Sequence, residues 1–224
     1  MPLKVTILGS GSSGGVPRIG GVDGRGDWGA CDPAEPRNRR RRCSLLVENG
    51  DSSVLVDCSP DMREQLIDAR VRTLDAVFIS HDHADQSHGI DDLRMIAQNM
   101  RRRVDVHASR ETLDVLEQRF AYCFTSSSNG AYPAILNAHA LERPYRELSI
   151  GKPDQAIPVL AFDQDHGTMI SQGFRFGPVA YSSDVVNLDE EAFAALSGVE
   201  CWIVDALRYT PHPTHAHVDK ALAW

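Results

Sequence analysis

The sequence predicts a layered α/β domain, and three observations predict it. Apolar runs of strand length recur along the chain, segments with helical signals interrupt them at intervals, and turn residues separate the two. No repeat, linker or second core breaks this pattern across 224 residues. A chain of that length can bury one sizeable core, so residues 1–224 are read as a single domain.

The elements follow in order. Residues 3–8 alternate enough to form a strand. From Gly9 to about Arg42 runs an irregular stretch rich in Gly, Ser, Pro and Arg. A loop of that length in a compact domain is functional or disordered. Strands are predicted at 43–48 and 53–57, with Asn49-Gly50-Asp51 as the hairpin signal between them. Ser59 followed by Pro60 predicts an N-cap and a first-turn proline, opening a helix that runs to about Ala69. The run Ala76-Val77-Phe78-Ile79 reads as a short buried strand, and residues 89–99 suit a helix. A strand is expected at 104–108, after which Ser109 caps a helix with Leu113, Leu116 and Phe120 on one face. Residues 121–150 are poorly patterned and read as an insertion or lid. Strands are expected at 157–162, 174–176 and 179–182, then a helix from Asp189 to Leu196 stopped by Gly198, then a buried strand at 201–205.

Composition narrows the function classes. Hydrophobic residues make up 42% and charged residues 24% of the chain, an ordinary globular balance. No apolar run approaches the roughly 20 residues of a membrane span, and the N-terminus shows no signal-peptide pattern. Five scattered cysteines read as free thiols in a reducing compartment, so a cytoplasmic protein is expected. The net charge of −8 argues against a dedicated binder of long nucleic acid. The arginines are clustered, with Arg37, Arg39, Arg40, Arg41 and Arg42 in one block and Arg101, Arg102 and Arg103 in another. Each block reads either as solvated surface or as a rim that steers an anionic substrate.

The densest chemistry lies in Ser80-His81-Asp82-His83-Ala84-Asp85-Gln86-Ser87-His88-Gly89, where a predicted strand leaves the core. In extended backbone, residues two apart face the same side, which aims His81 and His83 at one point. Asp85 opens a helix and can turn its carboxylate back toward that point. Neutral imidazoles with an adjacent carboxylate suit Zn²⁺, Mn²⁺ or Fe²⁺ better than Ca²⁺ or Mg²⁺. Two later residues occupy comparable strand ends, His166 after 160–165 and Asp184 after 179–183. Either alone would be unremarkable.

Taken together, His81-x-His83-x-Asp85, His166 and Asp184 make the chain resemble the metallo-β-lactamase fold superfamily along essentially its whole length. The resemblance implies an αββα sandwich and two divalent ions, Zn or Mn. It places His81, His83 and His166 on the first ion, Asp85 on the second, and Asp184 as the bridge. Two ions so bridged generate a nucleophile at neutral pH and clamp the attacking and leaving oxygens. The opening Leu8–Pro17 further resembles the phosphodiesterase branch, which includes tRNA 3′-processing nucleases and the cyclic-phosphate phosphodiesterase of the carbon–phosphorus lyase pathway. The latter is the nearer match, through 38–44, 181–184 and 214–222. By itself the glycine-rich loop is weak evidence of phosphate binding, since it lacks the Gly-Lys-Ser/Thr ending of a nucleotide loop. In Pro211–Val218 the resemblance assigns His215 as the acid that protonates the leaving oxygen, with His217 as the neighbouring alternative. Catalytic roles are thus expected for His215 and Asp85, and substrate contacts for Ser12, Arg18, Arg40 and His217.

Three departures from the pattern shape the expectations. Gln86 stands where the branch carries a histidine, so Gln86 and His88 are each either ligands or groups that orient one. Only Cys31 and Cys43 remain of a cysteine-rich structural zinc site, and that zinc is not expected. The resemblance also implies a closing strand with a last metal-binding histidine beyond Trp224, a strand expected to be missing from this chain. The expected substrate is a small nucleotide-like or cyclic phosphate ester, with an RNA-processing nuclease and a non-catalytic metal-binding protein of a cofactor pathway as alternatives. No membrane contact is expected, and a homodimer is an allowed assembly.

Overall fold

A computed structural model describes residues 2–128 and 131–224. Two sheets pack face to face, and helices cover their outer sides. The first sheet starts with a meander of β1 (Lys4–Gly9), β2 (Ser44–Asn49) and β3 (Ser52–Val56), antiparallel throughout. Gly50, with φ of 61°, makes the tight β2–β3 turn that the Asn-Gly pair predicts. Crossover connections then add β4 (Ala76–Phe78), β5 (Val104–Ser109) and β6 (Leu136–Leu141), all parallel to β3. Their helices are α1 (Met62–Asp68), a single turn α2 (Ala84–Ser87), α3 (Leu93–Met100), α4 (Arg110–Arg119) and the short α5 (Ala121–Phe124). The second sheet runs β11-β10-β9-β8-β7, from β7 (Leu148–Ile150), β8 (Ile157–Asp165), β9 (Ile170–Phe176), β10 (Val179–Ser182) and β11 (Cys201–Val204). Its outer side carries α6 (Glu190–Leu196), while α7 (Val218–Ala223) closes the described chain.

The core is split by the first sheet. On its inner side Leu45, Val56 and Phe78 meet Val159, Phe174 and Phe176 of the second sheet. On its outer side Leu46, Leu55 and Val77 meet Met62, Leu93, Leu113 and Leu116 of the helices. Each such large side chain, fully removed from water, stabilises the fold by about 1.5–3 kcal/mol. The alternation along β2 and β3 between these two clusters is the period of two that marks a strand buried on both faces. This αββα layering is the fold class expected from the sequence.

Several local expectations are corrected. Ser59 does not cap α1 as its N-cap. Its Oγ accepts from the Asp61 N–H at 3.1 Å and its carbonyl from the Met62 N–H, so Ser59-Pro60 form a turn and Asp61 precedes the helix. The helix expected at 89–99 is found at 90–100, its first turn 3₁₀ (Ile90–Asp92) running directly into α3, and the single turn α2 before it ends at Ser87. Gly89 separates α2 from this turn, its N–H on the Cys58 carbonyl at 2.8 Å, and a Cβ there would lie 2.0 Å from the Ser59 carbonyl oxygen. Residues 121–150 are no insertion: they supply α5, β6 and β7 and carry the chain from one sheet to the other, residues 129 and 130 lying outside the described ones. The long loop after β1 is pinned, with Gly11 N–H on the Arg41 carbonyl (2.7 Å) and Val16 and Arg40 exchanging backbone hydrogen bonds (2.8 and 2.9 Å). The last strand is an edge, and Cys201 on it is exposed rather than buried. Ser109 does cap α4, accepting from the Thr112 N–H at 3.2 Å. No helix among the described residues is long and apolar enough to cross a membrane.

Candidate metal centre

At one end of the sandwich the loops leaving β4, β8 and β10 converge. Ligand-type atoms of His81, His83, His166 and Asp184 all lie within 4.8 Å of one another. The ring centroids of the three imidazoles are 4.6, 5.1 and 5.3 Å apart. Asp184 Oδ2 lies 3.5 Å from His81 Nε2 and 3.6 Å from His166 Nε2. His81 and His166 are buried, whereas His83 is exposed at the mouth. Three neutral nitrogen donors and one carboxylate at this spacing form a donor set that fits a transition-series divalent ion.

Two of the donors are oriented from behind. His166 Nδ1 lies 2.7 Å from the Thr214 carbonyl oxygen and must donate to it, which fixes the tautomer and leaves the Nε2 lone pair facing the cluster. His81 Nδ1 is 3.0 Å from the Ser80 hydroxyl, and that hydroxyl and the Ser80 N–H both reach Asp57, at 3.1 and 2.8 Å. Burial pushes the fully enclosed Asp57 carboxyl up to about 7 despite these two donors. The same burial opposes charge on His81, yet hydrogen bonding to Asp184 and that carboxylate's charge raise its pKa overall. Asp57 and Asp184 both hold a positive φ, 64° and 23°, in a region that few residues other than Gly, Asn and Asp tolerate. Asp82, between the two histidines, is clamped from outside by Arg119, at 2.9 Å to its carboxylate and 2.6 Å to its carbonyl.

The other expected site residues are placed as follows. Asp85 is not brought into the cluster: in the first turn of α2, its oxygens are 2.8 and 3.2 Å from the side-chain nitrogen of Gln86 when that amide is turned to satisfy both. His88 is exposed, packs edge-on against Phe120 with ring centroids 5.5 Å apart, and is not in the donor group. His215 is not in the donor group either, but its ring lies 4.9 Å from that of His166. His217 serves as the N-cap residue of α7. Ser12 and Arg18 are exposed on the long loop, Ser12 in a turn closed by the Gly15 N–H on its carbonyl. Arg40 lines a groove of about 430 Å³ together with Gly9, Ser10 and Arg39. Arg41 lines the same groove but is ion-paired to Asp68 of α1 at 2.7 Å, and Arg42 is ion-paired to Asp61 before that helix at 2.9 Å.

Sequence reasoning missed four supporting groups: Asp57, Ser80, Asp205 and the Thr214 carbonyl. Asp57 and Asp205 each end an apolar strand on a carboxylate, the same signal that singled out Asp184. His215 Nδ1 lies 2.7 Å from Asp205 Oδ2. Burial lowers the His215 pKa, but the Asp205 hydrogen bond and the Asp184 charge outweigh it and the net shift is upward.

With this geometry in view, comparison with known proteins is decisive for the family. Residues 52–224 match the Beta-lactamase superfamily domain. The chain belongs to the β-lactamase superfamily. A solved structure described as a new diphosphatase from the PhnP family is 30% identical to it, with a TM-score of 0.84 over 99% of this chain and 82% of that one. Human tRNase Z, short form, shares the superfamily fold at 15% identity and TM-score 0.64, covering 98% of this chain and 86% of that one. Among curated proteins, Ribonuclease Z of Bradyrhizobium sp. (strain ORS 278) is 35% identical over 146 residues, and an Octanoyltransferase of Porphyromonas gingivalis (strain ATCC BAA-308 / W83) is 30% identical over 227. These alignments take in 63% and 98% of this chain but only 46% and 42% of the two relatives. The chain thus spans less than half the length of either. As a member of the superfamily it has the metallo-β-lactamase fold, and that fold implies a bound divalent metal.

Proposed function

We propose that this chain is a metal-dependent phosphodiesterase acting on a small nucleotide-like or cyclic phosphate ester. One observation carries the reading: beside a converging His81, His83, His166 and Asp184 stands a further imidazole, His215, held by its own carboxylate and outside the donor group. A divalent ion on those four donors supplies Lewis acidity toward a phosphoryl oxygen and lowers the pKa of water. His215 does the rest of the proton work. Its Nδ1–H donates to Asp205, so Nε2 is the atom that can hand a proton to a departing oxygen. Arg40, exposed in its groove, attracts the anion, and the acidic balance of the chain disfavours long nucleic acid. The 30% identity to a PhnP-family diphosphatase supports a small phosphate substrate.

A panel of zinc- or manganese-loaded assays tests this, with nitrophenyl phosphodiesters, cyclic nucleotides and cyclic ribose phosphates on one side and a tRNA precursor on the other. Turnover of the small esters with none of the precursor is expected. Inertness on every phosphodiester would sink the reading. The likeness to Ribonuclease Z favours RNA processing as the second reading, and selective cleavage of the precursor would establish that instead.

A further inference from the structure

Between the start of α4 and the turn joining β8 to β9 lies a cavity of about 310 Å³. Asp82 lines it, the residue between two of the metal donors. So does Met169, whose carbonyl accepts from the N–H of a third donor, His166, at 2.9 Å. Consecutive Cα atoms are about 3.8 Å apart, so the cavity begins one residue from His81 and His83. A phosphate ester seated on the metal donors has this cavity beside it. We propose that the cavity takes the heterocyclic base of the substrate, so that the ester cleaved belongs to a nucleoside and not to a base-free sugar.

The lining selects for that group. Val115, Met169 and Ile170 give the cavity apolar walls, against which the hydroxyls of a bare sugar would be left without partners. Its charged groups are already paired. Arg119 holds the Asp82 carboxylate at 2.9 Å, and Arg143 meets both oxygens of Asp163, at 2.6 and 3.1 Å, and Glu111 at 3.6 Å. The Ser109 and Thr112 hydroxyls bond each other at 3.0 Å. A second phosphate would therefore find carboxylates and a spent arginine, whereas a neutral ring finds apolar surface. Arg143 favours a flat ring in particular. Asp163 holds its guanidinium in a fixed plane, which already rests over the Tyr145 ring at 5.6 Å and is of the kind that stacks on aromatic systems. Glu111, exposed beside it, can accept from a ring N–H or an exocyclic amine. The volume lies near the lower end of the roughly 300–1,000 Å³ usual for small-molecule pockets, which suits one ring system.

The inference rests on the proposed function only in seating a phosphate at the metal donors, and binding is measured apart from turnover. Calorimetry on zinc-loaded protein compares AMP, GMP, CMP and UMP with ribose 5-phosphate, which carries the same sugar and phosphate without a base. At least one nucleotide should bind about tenfold or more tightly than ribose 5-phosphate, the scale of stacking one base. Equal affinities for all five, or binding of none, would overturn the inference. Val115→Trp fills the cavity from α4, and Ile170→Asp removes an apolar wall; each should erase most of the difference between nucleotide and sugar phosphate. A difference that persists in both variants would place the base elsewhere and overturn it too. If Val115→Trp does not fold, Ile170→Asp decides, because the Ile170 side chain is exposed. A protein that prefers a nucleotide yet is inert on every phosphodiester would refute the proposed function and leave this inference standing. One that hydrolyses phosphodiesters and binds all five probes alike would do the reverse.

Discussion

His215 Nδ1 lies 2.7 Å from Asp205 Oδ2 while its ring sits 4.9 Å from that of His166. One histidine is thus anchored by a carboxylate at the very edge of a group of three that face one another. The anchor keeps the Nδ1 proton in place and makes Nε2 the reactive nitrogen; the place of His215 outside the donor group, not the anchor, assigns it to proton transfer rather than ligation.

Replacing His215 by alanine should therefore keep the metal content unchanged. Turnover of phosphodiesters with poor, alkoxide leaving groups should fall by about 10²–10⁴-fold. Nitrophenyl esters should be far less affected, because nitrophenolate departs without a proton. Asp205→Asn should lose less, since it disturbs orientation and basicity and leaves the imidazole. Parallel kinetics on the two ester types, with elemental analysis of each variant, provide the check. Equal losses on both types, or loss of metal, would transfer the role to His217.

His83 is the exposed member of the metal cluster, so its removal opens no cavity in the core. His83→Ala should drop bound metal to well below that of the parent while the circular dichroism spectrum is retained. Full occupancy in this variant would remove His83 from the ligand set. His166→Ala is a less clean experiment, because it also frees the buried Thr214 carbonyl that His166 satisfies.

The residues whose role follows from local spacing were legible in the sequence. His81 and His83 alternate off a strand end, and the Asn49-Gly50 turn and the Ser109 cap are decided within a few residues. What was not legible depends on partners far apart in the chain. The His166 ring is oriented by the carbonyl of Thr214, 48 residues later, and His81 by Ser80 and Asp57, 23 residues apart. β6 hid because Leu-Asn-Ala-His-Ala-Leu has no β-branched residue, and only pairing with β5 makes it a strand. The close packing at Gly89 was equally invisible, since its partner is the Cys58-Ser59 backbone.

The arginine run divides in the same way. Arg40 and Arg41 line one groove, but Arg41 is held in an ion pair with Asp68, as Arg42 is with Asp61. Arg40→Ala should raise KM for a phosphodiester several-fold with kcat nearly unchanged, the pattern of lost uniform binding. Arg41→Ala should raise KM less, since its guanidinium is already paired with Asp68 in an exposed ion pair worth under about 1 kcal/mol to stability. The Arg40 effect should weaken as salt is raised. An unchanged KM in Arg40→Ala would return the whole run to solvated surface.

His107 offers a test of stability that leaves the metal cluster untouched. Its ring is stacked between Phe78 and His139, each centroid 4.8 Å away. Burial, and then the neighbouring His139, push its pKa down to about 4, against a smaller upward pull from Asp105. The ordinary value is near 6.5, so the folded protein resists a proton that the unfolded chain accepts. This group contributes its stability above about pH 6.5, and that contribution is lost as pH falls from there toward 4. At pH 5 the loss amounts to about 2 kcal/mol. Phenylalanine has a similar shape, keeps the stack and cannot titrate. Urea unfolding of the parent and of His107→Phe at pH 7.5 and pH 5 should therefore show a smaller drop in the variant, by about that amount. Other histidines titrate in both proteins and cancel in the comparison. An identical drop in both would mean that the His107 ring takes up its proton in the folded state as readily as it does in the unfolded chain.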